Sequence, residues 1–596
     1  MKRILSAIIT ISMILACMAG SLVLFTGCQS DIVIDETKTQ LYIGVKDDGI
    51  GKEWVYDAIA KFEADSYWSS WQNPTDPSKT GIQVIPKFED SLYEQKNVET
   101  SMPSSKESVY VLSSINFFAW LKSDNTSDML VNLWDVVNKD PDGPEGPELS
   151  IYDRMSEDDR EHLTVDLANG EKAIYTLPYH ENYWGAIYDK DIFEDFNLYN
   201  LDEYVGLDGI EGNEDDCWGP NGRADDATDP TCDDGLPATW EDFKVLMDTM
   251  VAVGVTPFTW NQNTYTYQTG WLKSVMAQYE GKANYELRYS MNGTHSDPEI
   301  GAIDKTNAWK LADAEGIRAA VTVAQHIMSN SAYYSPKAYF SSQSHLAAQE
   351  EFIMSTKTDK PIGFLLESGW WENEAKGTFA SMASAYGEEY GYGERNFAWL
   401  PFPKFIGTNG VEDQTNQKTT MFSGVGTGGS GWMLSANVED TIKPVALGFI
   451  EYCNSAQMMS RFTEITGICR PYEYTMSQTQ INNMTSYTRT VYEYRAKGQT
   501  PGSDVELIRY KTRNPFIVNV SSYFGVDYEF DALLHKGEAN QRSANNPLTA
   551  FYDDANLTVD DYIEGIKNQY NAGNWENKLG SLYGAYDNWL AKQLGL

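Results

Sequence analysis

Twice in this chain a short apolar run, an amphipathic helical pattern and another apolar run follow one another, and this alternation restricts the fold more than any other feature. Residues 41–45 (LYIGV) read as a buried strand, Val55, Ile59 and Phe62 share one helical face, and GIQVI at 81–85 is the next strand. SVYVLSSI at 108–115 is a third strand, followed by a helix through Phe118 and Leu121. Strands that alternate with helices build a parallel sheet covered on its faces. The pattern then restarts. WGAIYDK (184–190) is a strand entering a helix. Thr239 caps a helix whose Phe243, Leu246, Met247 and Met250 repeat at 3.6 spacing, and Gly254 stops it before the strand VTPFTW. Further helices fall near 317–329 and 344–355, a strand near 361–366, and two helices across 445–466, ahead of a polar, helical C-terminal region. The expected fold class is α/β, with two such units.

The chain is long enough for two to four domains, at 596 residues. With 42% hydrophobic and 22% charged residues it can build a sizeable core. Its 45 Lys plus Arg stand against 86 Asp plus Glu, a net charge of −41. So acidic a surface repels nucleic-acid phosphate and anionic lipid, which leaves a neutral or cationic partner. The 17 Trp and 37 Tyr combine flat apolar faces with polar handles, a composition that suits stacking on a partly polar ligand.

The first residues are a targeting segment. Lys2 and Arg3 precede an uncharged run from Ile4 to Gly27, the layout of a secretory signal or, by its length, of an uncleaved membrane anchor. The string LFTGC resembles the lipobox of bacterial lipoproteins, which implies a signal peptide over 1–27, lipidation at Cys28 and a tether over 28–40. Phe25 stands where that motif usually carries Leu. No other stretch approaches 18 apolar residues, so the expected location is the extracellular face of the cytoplasmic membrane, with attachment through the N-terminal lipid.

Export bears on the remaining cysteines. Cys217 and Cys232 are 15 residues apart and Cys453 and Cys469 are 16 apart. Oxidised, each pair would close a loop that restricts the unfolded chain by about 3 kcal/mol; reduced and buried thiols are the alternative. The first pair brackets part of an acidic insertion, Asp202 to Gly235, with nine Asp and three Glu against Arg223 alone. The favoured reading is a solvated loop stapled by Cys217 and Cys232, with no metal. Calcium held by Asp208, Asp215, Asp216, Asp225 and Asp226 is the weaker alternative, since the spacing departs from the EF-hand pattern.

No GxSxG elbow, HExxH or Walker loop supports an enzyme, and GVGTGG at 424–429 lacks the helix a dinucleotide fingerprint needs. What stands out is a set of aromatic, amide and acidic residues at strand ends. These are Asp47 and Asp48, Ser113 and Asn116, Glu181 and Asn182 beside Trp184, Trp260 with Asn261 and Gln262, and Glu367 ahead of Trp370 and Trp371. Open α/β sheets bind ligands outside the carboxyl ends of their strands. Carboxylates and amides pair with hydroxyls, and indole faces pack on the C–H faces of pyranose rings. These are features of a sugar site.

YTLPYHENYWGAIYDKDIF, TWEDFKVLMDTMVAVGVTPFTW, GFLLESGWW, NFAWLPFPK and ITGICRPYE, in this order, resemble the extracellular solute-binding proteins of bacterial ABC importers, in the carbohydrate-binding group that includes maltose-binding protein. The resemblance spans most of residues 40–475. It implies a two-lobe, periplasmic-binding-protein-like fold of type II, with several hinge crossings and a ligand clamped between the lobes. The first lobe would hold 40–178 plus about 400–455, the second about 180–398 plus about 465–596. By position, Asp47 or Asp48, Asn116, Asn182, Trp260 and Trp370 match places where relatives hold sugar, although Asn182 stands where maltose-binding protein has an acid. The implied protein is a monomeric receptor, not an enzyme, that delivers a sugar or oligosaccharide to a membrane permease and needs no cofactor. The alternatives are a secreted carbohydrate-active enzyme and a peptide-binding or adhesin lipoprotein.

Overall fold

The computed structural model describes residues 32–113, 126–142, 149–167, 169–199, 201–225, 233–340, 342–405, 418–423, 430–509, 514, 516, 530–535 and 541–593. Ten strands form its two main sheets: β1 (Thr39–Val45), β2 (Ile82–Phe88), β3 (Val109–Leu112), β4 (Tyr183–Asp189), β5 (Thr256–Trp260), β6 (Ile362–Ser368), β7 (Phe397–Leu400), β8 (Thr419–Ser423), β9 (Gly431–Leu434) and β10 (Val505–Arg509). The first sheet has the order β9-β3-β1-β2, with β1 parallel to both neighbours and β9 antiparallel to β3. The second runs β10-β8-β4-β6-β5, and β7 also pairs with β4. Each sheet centres one lobe of a two-lobe α/β molecule.

Both sheets are mixed rather than parallel. In the second, β4 lies antiparallel to β6, β7 and β8. The reversal matters for the site, because it sets the start of β4, at Tyr183 and Trp184, beside the carboxyl ends of β5 and β6: Trp184 faces Ser368 in register, and Leu366 faces Trp260. The same pairing aligns Ser423 with Tyr183 and Arg509 with Ser423, so five strand ends share one rim.

Helices cover the sheets. The ones that matter below are α1 (Glu53–Ala64), α2 (Trp240–Val253), α3 (Tyr265–Ser290), α4 (His345–Ser355), α5 (Lys443–Cys453), α6 (Ala456–Thr466) and α7 (Ser486–Gly498). Thr239 and Asp242 form a capping box at the start of α2, and Gly254 ends it at φ 91°. That left-handed cap suits glycine, which has no Cβ to clash.

Side chains from both faces of the second sheet are buried, in two different cores. Ala186, Tyr188, Phe258, Trp260, Phe364 and Leu366 pack with α2 and α3, whereas Tyr183, Ile187 and Leu365 join a core shared with β1, α1, α5 and α6. A strand that is buried on both sides reads as a continuous apolar run, as GFLLES and YWGAIYD do.

The chain stays in the second sheet through Ser423 and enters the first only at Gly431. β7 and β8 both pair with β4, so Phe397–Leu400 and Thr419–Ser423 lie in the second sheet. From the C-terminal region, β10 extends the second sheet, and Phe516, Leu548, Phe551, Tyr562, Ile566, Trp575 and Tyr586 enter the core on the face that α2 and α3 cover.

The segment 1–31, with Cys28, lies outside the described residues. Among the described residues no helix is long and apolar enough to cross a membrane. The expected Cys453–Cys469 bridge is not made: both are buried free thiols. Burial pushes the Cys469 thiol up to about 12 and raises that of Cys453 as well. Cys217 is also a free thiol, and Cys232 falls outside the described residues.

Carboxylates of the acidic insertion accept backbone N–H groups within it. Asp208 accepts the Ile210 N–H (2.7 Å), Asp216 the Gly212 N–H (2.7 Å), Asp215 the Asp208 N–H (3.3 Å) and Asp225 the Asp234 N–H (3.0 Å). Asp226 lies outside the described residues. Among the described residues no three acidic, His or Cys side chains come together as a metal cage.

Candidate functional site

The first lobe brings a tight acidic turn to the seam between the lobes. After β1 the chain turns through Asp48 (φ 44°) and Gly49 (φ 81°). Asp47 accepts the Gly51 N–H at 2.7 Å, while its own N–H donates to Asp90 at 2.8 Å. Burial raises the Asp47 pKa against the lowering effect of the Gly51 hydrogen bond, and Asp90 and Glu53 add repulsion. Asp48 is held by Lys46 Nζ at 2.8 Å and by the Ser113 hydroxyl at the end of β3. Lys46 is 4% exposed and also reaches Glu94 at 3.0 Å. Desolvation works to lower its pKa, and the two carboxylates outweigh it, so the ammonium stays charged.

The second lobe answers with acids and rings. Glu374, in the helical turn after β6, lies against the Asp48–Gly49 turn: a Cβ on Gly49 would come within 2.3 Å of Glu374 Cγ. Gln349 of α4 donates to Glu374 at 2.7 Å. Burial raises the Glu374 pKa, and Asp48 and Asp47 across the seam add to it. Glu367, at the end of β6, is buried and held well above the usual carboxylate range by desolvation and then by Glu374. Its Oε1 accepts the Ser368 N–H at 2.9 Å.

Half-buried Trp184 rests on Gly270 of α3, where a Cβ would come within 2.6 Å of the indole, and meets Tyr267 edge to face at 5.5 Å. Tyr267 in turn stacks on His345 (5.6 Å, 19°). Trp370 is half-buried too, set edge to face on His180 at 4.9 Å. His180 Nε2 lies 3.1 Å from the Ser113 carbonyl oxygen, which can only accept, so the ring carries its proton there.

Several expected ligand contacts have other roles. Trp260 is fully buried against Tyr334 and Tyr339, because strand alternation turns it to the same face as Phe258. Trp371 is fully buried among Phe352, Phe379, Phe397 and Tyr487. Of the two adjacent indoles, Trp370 alone is left at the seam. Asn261 is buried and accepts the N–H groups of Asn263 and Thr264 in the turn before α3, and Gln262 accepts from Gln268.

Glu181 is an ion-pair centre rather than a free acid. Arg495 from α7 holds it at 2.9 Å, Arg509 at the end of β10 pairs with it, and Tyr183 donates at 2.9 Å. Burial pulls its pKa up and the two guanidinium groups outweigh that, leaving it lowered. Asn182 accepts the Gly369 N–H at 2.7 Å, which fixes the turn that carries Trp370. Asn116 lies outside the described residues, as does the glycine run 424–429.

Sequence reading missed Glu374, Tyr267, His180 and His345. Glu374 follows Trp371 by three residues in WWENE, and His180 precedes Glu181 in PYHEN, so both stood in motifs already singled out. Tyr267 and His345 gave no such signal, since they open helices far apart in sequence.

The fold is that of two-lobed solute-binding proteins. A structure solved in work on xylan utilisation by the thermophilic bacterium Caldanaerobius polysaccharolyticus is similar at a TM-score of 0.50, with 13% identity over 89% of this chain and 100% of that one. Similar too are a probable secreted solute-binding lipoprotein from Streptomyces coelicolor (TM-score 0.49, 12% identity, 90% and 99% covered) and the sugar-binding protein MalE from Xanthomonas citri (0.49, 14%, 92% and 99%). At such identities the likeness is one of fold. No family model and no curated protein sequence matches the chain.

Proposed function

We propose that the protein is the extracellular, lipid-anchored receptor of an ABC importer, and that it binds a sugar or oligosaccharide between its lobes and passes it to a membrane permease. One observation carries the reading: strand ends of both sheets bring carboxylates (Asp47, Asp48, Glu374) and half-buried indoles (Trp184, Trp370) to one seam. Acids accept from sugar hydroxyls and indoles cover the apolar ring face, so the two kinds of group together fit a carbohydrate. The named neighbours with this fold include sugar-binding proteins, which agrees with the reading.

Contacts to one ligand from both lobes stabilise the closed form, and a permease that docks on that form reads the ligand as a shape. The test is a tryptophan-fluorescence titration with a panel of oligosaccharides, followed by chromatography of the recovered sugar. Saturable quenching with the sugar returned intact supports the receptor. Shortened sugar means a carbohydrate-active enzyme, and no response to any sugar removes the reading. Attachment has its own test: Cys28→Ser should release the protein from the membrane and leave sugar affinity unchanged, because the lipid and the seam are separate sites.

A further inference from the structure

At the amino ends of β1 and β2, away from the seam, the surface carries apolar side chains beside the point where the chain comes in from Cys28. The ten residues SYWSSWQNPT (66–75) hold no charge, in a chain of net charge −41. Trp68 is their inner support: it packs on Phe62 of α1 at 4.8 Å and on Gly448 of α5, where a Cβ would strike the indole. That leaves Tyr67, set edge-on to Trp68 at 4.8 Å, 64% exposed, with Trp71 half-buried. Ile32, Val33 and Ile34 are a second uncharged run, with Val33 84% exposed.

Hydrogen bonds fix the two runs near each other. Gln83 of β2 accepts the Asp35 N–H and donates to the Val33 carbonyl oxygen, both at 2.8 Å. Two residues earlier, about 7 Å along the chain, the Gly81 N–H donates to the Trp71 carbonyl oxygen at 2.8 Å, and the Thr80 N–H donates to the Thr37 carbonyl oxygen at 2.9 Å. Ile32 is four residues after Cys28, so the two lie within about 14 Å of each other however the chain runs between them. A lipid on Cys28 therefore holds this face at the headgroups. Tyr and Trp, with an apolar body and a polar tip, are the residues that settle at a membrane–water interface. The seam lies at the other end of the sheet: Asp47 and Asp48 follow β1, whose seven residues span about 20 Å.

We propose that this face, with Tyr67, Trp71, Val33 and Ile34, rests on the lipid surface beside the anchor, so that the seam opens away from the membrane. The inference rests on the lipid-anchor reading above: the acyl chains bring the face to the bilayer, and these side chains orient it there. The partner is a net-neutral lipid surface, since a chain of this charge is repelled by anionic headgroups. The test exposes the wild type on phosphatidylcholine vesicles, and the Cys28→Ser protein in solution, to hydroxyl radicals and reads oxidation by mass spectrometry. Tyr67 should oxidise at least threefold more slowly on vesicles, whereas Tyr552, 51% exposed beside Tyr339, should oxidise equally in both. Tyr67→Glu puts a charge into the face, so Trp71, slowed in the wild type, should regain its solution rate while the protein still sediments with the vesicles. A wild type whose mass shows no lipid removes the anchor and the inference with it. A lipidated wild type in which Tyr67 oxidises as in solution, or in which Tyr552 is slowed as much, overturns the inference alone, as does Trp71 protection that survives Tyr67→Glu. Tyr67 protection that rises with concentration in the Cys28→Ser protein would assign the face to a second copy of the chain instead.

Discussion

His180 stands edge-on to Trp370, ring centroids 4.9 Å apart and planes at 82°, while its Nε2 bonds the carbonyl oxygen of Ser113. One buried imidazole thus joins the end of β3 in the first lobe to the indole that follows β6 in the second. Ser113 also holds Asp48, so the acidic turn and the stacking ring lie in one chain of contacts.

Trp370→Ala should weaken sugar binding by about 2 to 4 kcal/mol, the range of a binding hot spot, with little loss of stability. Trp371→Ala and Trp260→Ala remove fully buried rings, and each should cost about 3 to 5 kcal/mol of folding stability while the folded fraction keeps its affinity. Thermal melting and sugar titration on the three variants separate these outcomes. Early melting with normal binding in Trp370→Ala would place that indole in the core.

Burial lowers the pKa of His180 to about 4. The folded state resists the proton that the unfolded chain takes up near pH 6.5, so this residue makes stability fall as pH drops through 6.5 toward 4. The full effect is on the order of 3 kcal/mol. Denaturant unfolding between pH 4 and 7 should show a shallower pH dependence in His180→Gln than in the wild type. Parallel curves would mean that the imidazole is solvated.

Glu372 runs the other way. It is 2% exposed, accepts the Thr485 hydroxyl at 2.6 Å, and burial pushes its pKa up to about 7. An acid with a raised folded pKa loses stability as pH rises from its unfolded value toward the folded one. Glu372→Gln removes the ionising group, so its stability relative to the wild type should rise between pH 4.5 and 7, by about 3 kcal/mol at most, and level off above. A difference independent of pH would show that the carboxyl ionises freely.

Arg495 donates to Glu181 and to the carbonyl oxygens of Arg470 and Tyr472, the last at 2.7 Å. Arg495→Met leaves a buried carboxylate short of one partner, and urea unfolding should show a loss of about 3 to 5 kcal/mol. Adding Glu181→Met to that variant should recover part of the loss, since the stranded charge goes with it. A double variant no better than the single one would show that the carbonyl contacts, not the ion pair, carry the effect.

The sequence by itself determined the α/β alternation, the cap and stop of α2 at Thr239 and Gly254, and the strand ends where Asp47, Asp48 and Trp370 gather, because periodicity, capping and strand-end position are local properties. Tertiary structure decided the rest. Whether Trp370 or Trp371 turns to the seam depends on what packs against each, and Phe352, Phe397 and Tyr487, distant in sequence, claim Trp371. Glu181 looked like a ligand acid until α7 and β10, more than 300 residues later, brought it Arg495 and Arg509. The reversed direction of β4, which sets Trp184 at the rim, follows from pairing with β6 and β8 and is invisible in a run of apolar residues that is buried on both faces.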